Sequence, residues 1–391
     1  MSKLKKQALC IASVASNLDN FNRNNVTILQ KLGYEITLAA NFHSKEDINS
    51  QEKINAFAKE MRTVGVHIVH IDFARSPKKL KSQVKSIMQV RKLLKRRFDL
   101  IHCHSPICAA IVRAEANIYR RKYGTKIFYT AHGFHFYTGA PFKNWLIFYP
   151  IEKLMSRYTD VLITINKEDY KRAKYKFKAK KTVYIPGVGV DTDKFQKVQK
   201  TRKDMRCELK VNDNNIVLLS VGELNGNKNH ELAIRALAWM KRRNIDISHI
   251  KYYICGIGNL KEYLEKIIDE FDLKDNVKLL GFREDVKDIY NAADIFLFMS
   301  KREGLSMALM EAMASGLPCL VSDIRGNRDL IVNGKGGYLL DSNEVDEWAK
   351  ILNNKLEEIL NSSMGTFNKE RIALFSKKKV QGLMQKYYDN L

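Results

Sequence analysis

Two glutamates eight residues apart, Glu303 and Glu311, bracket the stretch best suited to chemistry: Glu303-Gly-Leu-Ser-Met-Ala-Leu-Met-Glu311-Ala-Met-Ala-Ser-Gly316-Leu-Pro318. It follows the apolar run Ala293-Asp-Ile-Phe-Leu-Phe-Met-Ser300. The pattern predicts a strand, a short turn and a helix that Gly316 and Pro318 close. A helix start carries unpaired N–H donors and partial positive charge, which makes phosphate a natural ligand there. Were the stretch helical throughout, a rise of about 1.5 Å per residue would put the two carboxylates roughly 12 Å apart. Two acids flanking one glycosidic bond stand closer, at roughly 5 to 10 Å. The spacing suits a longer ligand laid along the helix end, with a hydroxyl-rich group at each acid and an anion between them. A sugar, a diphosphate and a ribose in that order form such a ligand.

These residues resemble the Glu-x7-Glu signature of the retaining glycosyltransferases of family 4, and the chain is similar to bacterial exopolysaccharide and capsule glycosyltransferases. The resemblance implies an α/β chain with the GT-B fold, two Rossmann-like domains whose parallel sheets face across a cleft. It further implies that Glu303 contacts the donor sugar, Glu311 the nucleotide ribose, and the backbone of Gly304, Leu305, Ser306 and Met307 the diphosphate. Asn215-Ile-Val-Leu-Leu-Ser-Val-Gly-Glu223-Leu leads to Asn225-Gly-Asn-Lys228, where relatives carry an arginine after the glycine and a lysine five residues on. The lysine is kept as Lys228, but Glu223 stands at the arginine position. A carboxylate repels phosphate, so Glu223 is expected to orient Lys228 or a hydroxyl, with Arg283 or Arg302 as the replacement cation. Tyr252-Tyr-Ile-Cys-Gly256-Ile-Gly258-Asn-Leu resembles the family's Gly-x-Gly turn, and Val277-Lys-Leu-Leu-Gly-Phe282-Arg283 the segment that meets the nucleotide base. His132, followed by Gly133 after the strand Lys126–Ala131, resembles the histidine that faces the donor sugar from the first domain. His132, Glu303 and Lys228 are thus the expected catalytic groups, with no metal or other cofactor.

The elements that hold these residues follow from length and pattern. A chain of 391 residues exceeds what one hydrophobic core usually accommodates. We expect a first domain over 1–190, a second over 191–375, and a tail over 376–391 that packs back on the first. The Pro and Gly residues of Val183-Tyr-Ile-Pro-Gly-Val-Gly-Val-Asp191-Thr-Asp-Lys-Phe195 mark the link. A strand ending near Ala15, a turn at Ser16–Asn20, a helix to Leu32 capped by Gly33 and a strand Tyr34–Ala40 make a βαβ unit and hence a parallel sheet. The opening run to Ser16 imitates a signal peptide, but its brief, serine-interrupted apolar stretch reads as this first strand. Strands are also expected over Val64–Asp72 and over Asp99–His104, the latter placing His102 and His104 near a ligand-binding strand end or in the core.

Charge is lopsided. Residues 1–200 hold 38 Lys and Arg against 15 Asp and Glu, and carry nearly all of the net +24. Two cationic helices are predicted, over Lys78–Arg97 with Leu80, Val84, Ile87, Val90 or Arg91, and Leu94 on one stripe, and over Lys167–Lys181. Between them, Phe134, Phe136, Tyr137, Phe142, Trp145, Phe148 and Tyr149 cluster within twenty residues. That segment is either a buried helix start or an aromatic surface that meets a membrane interface. Zinc-finger spacing, an RNP-type motif and a helix-turn-helix signal are all absent from the sequence, so nucleic acid is not an expected partner. The partners expected are a nucleotide-sugar donor, a polyprenyl-diphosphate-linked sugar acceptor and an anionic membrane surface.

No run approaches the roughly 18 apolar residues of a spanning helix, so a cytoplasmic enzyme peripheral to the inner membrane face is expected. Six cysteines without CxxC pairing read as reduced, packed thiols. A metal at Cys103, His102 and His104 is the weaker reading. The resulting expectation is sugar transfer from a UDP-sugar with retention. A sugar-nucleotide epimerase of the same fold and a non-catalytic nucleotide-sugar-binding protein remain the alternatives.

Overall fold

The computed structural model describes residues 5–47, 49–74, 79–341 and 343–390. Lys78, the expected start of the first cationic helix, lies outside them, as does the side chain of Leu80. The chain divides into two compact units, one formed by residues up to Val188 together with those from Val380 onward, the other by Gly189–Lys379.

Seven strands of the first unit form one sheet among the described residues: β1 Gln7–Val14, β2 Glu35–Asn41, β3 His67–His70, β4 Leu100–His104, β5 Lys126–Ala131, β6 Val161–Thr164 and β7 Lys181–Tyr184. Their order is β3-β2-β1-β4-β5-β6-β7, and every pairing is parallel. The second unit orders six strands as β10-β9-β8-β11-β12-β13, again all parallel. These are β8 Ile216–Val221, β9 Ile250–Cys255, β10 Val277–Gly281, β11 Ile295–Phe298, β12 Cys319–Ser322 and β13 Gly337–Leu340. Strands buried on both faces read as continuous apolar runs, which is why β1, β8 and β11 stand out in the sequence. Both are Rossmann-like sheets. The strand order reverses between β1 and β4 in one and between β8 and β11 in the other, and ligands gather at the carboxyl ends of strands at such reversals.

The period of two along each strand divides its side chains between the faces. On β1, Cys10 joins one core cluster and Leu9 and Ile11 the other. On β4 the same alternation sends Cys103 to the face opposite His102, so those two do not converge on a metal. Among the described residues no group of three His, Cys, Asp or Glu is placed to hold a metal ion. Five cysteines are buried and free, whereas Cys207 is free and exposed, unlike the packed thiol expected there.

The helix Lys377–Asp389 returns to the first unit, where Val380, Met384 and Tyr388, four residues apart, enter the core between the sheet and the helix Ala15–Lys31. Several local expectations are corrected. The turn foreseen at Ser16–Asn20 is part of the helix Ala15–Lys31, which begins directly after β1, because Ser16 N–H donates to Asp47 instead of needing a loop. Val183 and Tyr184 belong to β7 rather than to the link, held by pairing with Ile163 and Thr164.

The aromatic segment also differs from its aromatic-surface reading. Phe134 and Phe136 are buried, and Trp145 and Tyr149 turn inward to meet Phe136, the first tilted against its ring and the second edge-on. The outward face of the helix Phe142–Met155 is chiefly aliphatic. None of the described helices is long and apolar enough to cross a membrane.

Candidate functional site

In the second unit β8 and β11 are neighbours, with Ile295 opposite Leu218, so their carboxyl ends emerge side by side at the reversal. The segment after β8 carries Lys228 and the segment after β11 carries Glu303. Adjacency in the sheet is what brings together residues 75 positions apart: Lys228 Nζ lies 2.8 Å from Glu303 Oε1. The ammonium also stands 4.8 Å from the centroid of the Phe298 ring, which attracts cations over its face.

Backbone contacts staple the two loops. Lys301 N–H donates to Asn227 O, and the Asn227 side-chain amide donates to Arg302 O at 3.0 Å. Asn225 Oδ1 accepts from the N–H groups of Asn227 and Lys228, which fixes the turn that aims the lysine. Its stem crosses Gly222, where an added Cβ would meet the lysine Cδ at 3.3 Å.

Glu303 precedes its helix. The helix runs Met307–Ala314 with Ser306 as N-cap, its Oγ accepting from Leu309 N–H. The continuous-helix premise behind a 12 Å carboxylate spacing is therefore not met, since Glu303–Leu305 form a loop. Arg325 Nε supports that loop by donating to Glu303 O at 3.1 Å. Gly326 presses so close that a Cβ there would reach Gly304 O at 2.4 Å. The loop is thus backed from behind.

Glu311 lies one turn into the helix. Burial pushes its carboxyl up to about 7, offset in part by the Lys194 charge and by a hydrogen bond from the Tyr290 hydroxyl. The same hydroxyl donates to Ala308 O at 3.0 Å, so Tyr290 buttresses the helix behind Glu311. Sequence reasoning missed Tyr290, Asn225, Asn227 and Arg325, because each acts through packing or loop contacts and none belongs to the Glu-x7-Glu stretch.

Gly256 and Gly258 have a structural reason. A Cβ on Gly256, whose φ is +155°, would fall 1.9 Å from Gly222 O, and one on Gly258 would fall 2.3 Å from Leu224 O. Only glycine lets these loops lie together after β8 and β9. Arg283 is held by Asp285 and Glu208, whose carboxylates raise its pKa further. Phe282 beside it is 58% exposed. Glu223 is exposed, and the partner of Lys228 is Glu303, so Glu223 does not orient the lysine as expected. The cause is reach: the loop after β11 delivers a carboxylate directly to the ammonium. Arg302, next to Glu303 and exposed, remains as a cation at the loop.

The first unit places its histidines at and beside its own reversal. His102 is buried, its Nδ1 2.6 Å from the Tyr388 hydroxyl and its Nε2 2.8 Å from Thr130 Oγ1, which makes it a core residue. His104 Nδ1 lies 3.0 Å from His132 Nε2. Phe21 stacks on the His132 ring at a centroid distance of 4.1 Å. Withdrawal from water lowers His102 to about 3 and His132 to about 4, and lowers His104 as well, so all three imidazoles are neutral near pH 7. His132 opens onto a cavity of about 310 Å³ lined also by Ser13, Asn17, Ser105, His135 and Phe148. Within it the Asn17 amide donates to Ser105 Oγ at 2.7 Å. Ser105 holds a positive φ of 67° where β4 turns into the helix Pro106–Tyr123. Hydroxyl, amide and imidazole groups around such a space match the donors and acceptors of a sugar.

Two Rossmann-like units, each with polar groups gathered at its sheet's reversal, define the architecture of the GT-B glycosyltransferases. Solved structures agree with that fold. HepE from Anabaena, crystallised with UDP, superposes with a TM-score of 0.74 at 18% identity over 98% of this chain and all of that one. WaaG, a glycosyltransferase involved in lipopolysaccharide biosynthesis, superposes with a TM-score of 0.71 at 16% identity over 97% of this chain and 99% of that one.

Residues 23–194 match Glycosyltransferase Family 4 and residues 201–371 match Glycosyl transferases group 1. The putative glycosyltransferase EpsD of Bacillus subtilis is 32% identical over 89% of this chain and 86% of its own length. The UDP-Gal:alpha-D-GlcNAc-diphosphoundecaprenol alpha-1,3-galactosyltransferase of Escherichia coli is 31% identical over 69% of each chain. The chain belongs to the family 4, group 1 glycosyltransferases and is a glycosyltransferase.

Proposed function

We propose that this enzyme transfers a sugar with retention of configuration from a UDP-sugar to a polyprenyl-diphosphate-linked sugar during bacterial surface polysaccharide synthesis. The observation that carries this reading is the Lys228–Glu303 pair beside the start of the helix Met307–Ala314. The ammonium, Arg302 and the amides at the helix start meet the diphosphate, Glu303 meets the donor sugar, and Glu311 holds the ribose hydroxyls. Similarity to HepE, solved with UDP, and to an Escherichia coli enzyme named for a UDP-galactose donor and a diphosphoundecaprenol acceptor supports the donor and acceptor classes.

In the step itself the bond from the sugar anomeric carbon to the diphosphate oxygen breaks and a bond to the acceptor oxygen forms on the same face. The acceptor proton passes to the departing phosphate oxygen. Negative charge growing on the diphosphate is the main thing the protein must stabilise, which Lys228 and preorganised N–H groups do without a metal. The neutral His132 lines the sugar-sized cavity of the first unit and contacts the transferring sugar or its acceptor. The cationic first half supports a seat for the enzyme at the anionic inner face of the membrane.

Purified enzyme with a panel of UDP-sugars and a polyprenyl-diphosphate sugar, with chelator present, tests the reading. UDP release that requires acceptor, with the product linkage keeping the donor's anomeric configuration by NMR, is the expected result. Turnover of the donor without acceptor, an inverted linkage, or loss of activity in chelator would each remove a part of it.

A further inference from the structure

The helix Phe142–Met155 is turned the opposite way from an ordinary surface helix. Its acid, Glu152, points inward and is 4% exposed, held 2.8 Å from Arg113 Nη2 and 2.9 Å from the Tyr129 hydroxyl. Its apolar side chains point outward: Phe142, Leu146, Ile147, Ile151 and Leu154 are 43–79% exposed. At 100° per residue these five cover one half of the helix circumference, and only Pro150 and two lysines, Lys143 and Lys153, share it. A carboxylate and a guanidinium are buried while a contiguous apolar stripe is left facing out. Water alone gives no reason for such a choice, and a patch of this kind marks a binding face.

The geometry points to an anionic lipid bilayer as the occupant, with this stripe lying in its interface. The inference rests on the membrane-face reading above and assigns it to one surface. Charge complementarity favours lipid over a second copy of the chain. Lys143 and Lys153 sit within the stripe, so a two-fold pairing of this face would set lysine against lysine, whereas lipid phosphates satisfy both. The neighbouring helix Lys167–Lys176, tied to this one where Arg172 covers the Trp145 ring at 5.0 Å, adds exposed Lys171, Lys174 and Tyr175. Phe148, on the other edge of the same helix, stacks on His135 at 4.5 Å and lines the His132 cavity. A helix seated in the lipid surface therefore sets that cavity at the level where a polyprenyl-linked sugar leaves the membrane.

Co-sedimentation of the full chain with phosphatidylcholine vesicles, with and without phosphatidylglycerol, tests this. The native chain is expected to bind the phosphatidylglycerol vesicles. Leu146→Glu with Ile147→Glu should weaken that binding by roughly a hundredfold, roughly tenfold for each aliphatic lost to the interface. Circular dichroism, thermal midpoint and turnover of a short-chain, water-soluble acceptor should stay unchanged, while turnover of a vesicle-embedded acceptor falls. Lys143→Glu with Lys153→Glu should abolish the preference for phosphatidylglycerol. Native binding that survives the double glutamate change overturns the assignment of this face but leaves the membrane reading standing. A native chain that binds neither vesicle sinks both. A native dimer made monomeric by the glutamates, without vesicle binding, makes the face a protein interface and overturns the proposal.

Discussion

Lys228 Nζ and Glu303 Oε1 stand 2.8 Å apart, with the side chains 20% and 14% exposed, so the unliganded loop keeps its cation paired with the acid next door. A diphosphate arriving at the helix start would take over the lysine and free the carboxylate to accept from a sugar hydroxyl. Lys228→Ala should then cut kcat/KM by about a hundredfold or more, the scale for losing a charge-stabilising donor. Glu303→Gln should affect kcat more than donor affinity, because the amide keeps the shape but not the charge. Steady-state kinetics with the donor varied separate the two outcomes. A Lys228→Ala enzyme of undiminished activity would remove the lysine from the mechanism.

Glu311 gives the donor site a pH dependence whose sign can be worked out. Its carboxyl is raised from 4.5 to about 7, so near pH 6 the unliganded site holds it mostly protonated. If Glu311 holds the ribose as proposed, the hydroxyls donate to its ionised form, so binding should release a proton and UDP affinity should rise with pH up to about 7 and level off above it. Calorimetric titrations in buffers of different ionisation enthalpy should show that proton release in the native enzyme and none in Glu311→Gln. The unfolded chain loses the proton nearer 4.5, so the raised value costs stability as pH climbs from there to about 7. Glu311→Gln should accordingly be more stable than the native enzyme at pH 8, by up to about 3 kcal/mol.

His132 should not titrate in the usual histidine range. It is lowered to about 4, with Phe21 stacked on its ring and His104 bonded to Nε2. Nitrogen NMR of the histidine rings should show it neutral from pH 5.5 upward. A pH profile of kcat/KM should carry no acidic limb near 6.5 from this residue. His132 protonating near 6.5 would mean that the pocket is wetter than its geometry indicates.

Gly256→Ala should destabilise the second unit by about 3 kcal/mol, since the new methyl would overlap Gly222 O and the φ of +155° disfavours any side chain. Gly226→Ala, where nothing lies within 4 Å, is the matched control and should change stability by less than about 0.5 kcal/mol. Urea denaturation followed by circular dichroism reads both.

Arg113 and Glu152 form a pair buried in the first unit. Arg113→Met alone strands the carboxylate and should cost about 3 to 5 kcal/mol, whereas adding Glu152→Leu should recover most of that loss. A double-mutant cycle by denaturation measures the coupling. Near-additive effects would show that the pair is wetter than its burial implies.

The parallel sheets were legible because strands buried on both faces read as long apolar runs and alternate with helical segments. Lys228, Glu303 and Glu311 could be named together because the resemblance to family 4 singles them out in the segments after β8 and β11. The partner of Lys228 was not legible. It depends on β8 lying beside β11, a fact of sheet order that no local pattern carries, and Glu223 was nearer in sequence. The orientation of the helix Phe142–Met155 was equally hidden. Apolar residues fall all round it and its charges are few, so only the burial of Glu152 against Arg113 reveals which side faces out.

Tyr388 meets His102 across 286 positions of sequence. Val380, Met384 and Tyr388 of the helix Lys377–Asp389 complete a core whose strands all precede the second unit in the chain. The first unit therefore cannot mature while the second is being translated. Its core stays short of those three side chains until the last helix has been made, so a chain cut between Lys379 and Val380 should keep the second unit's core whole and leave the first unit's incomplete.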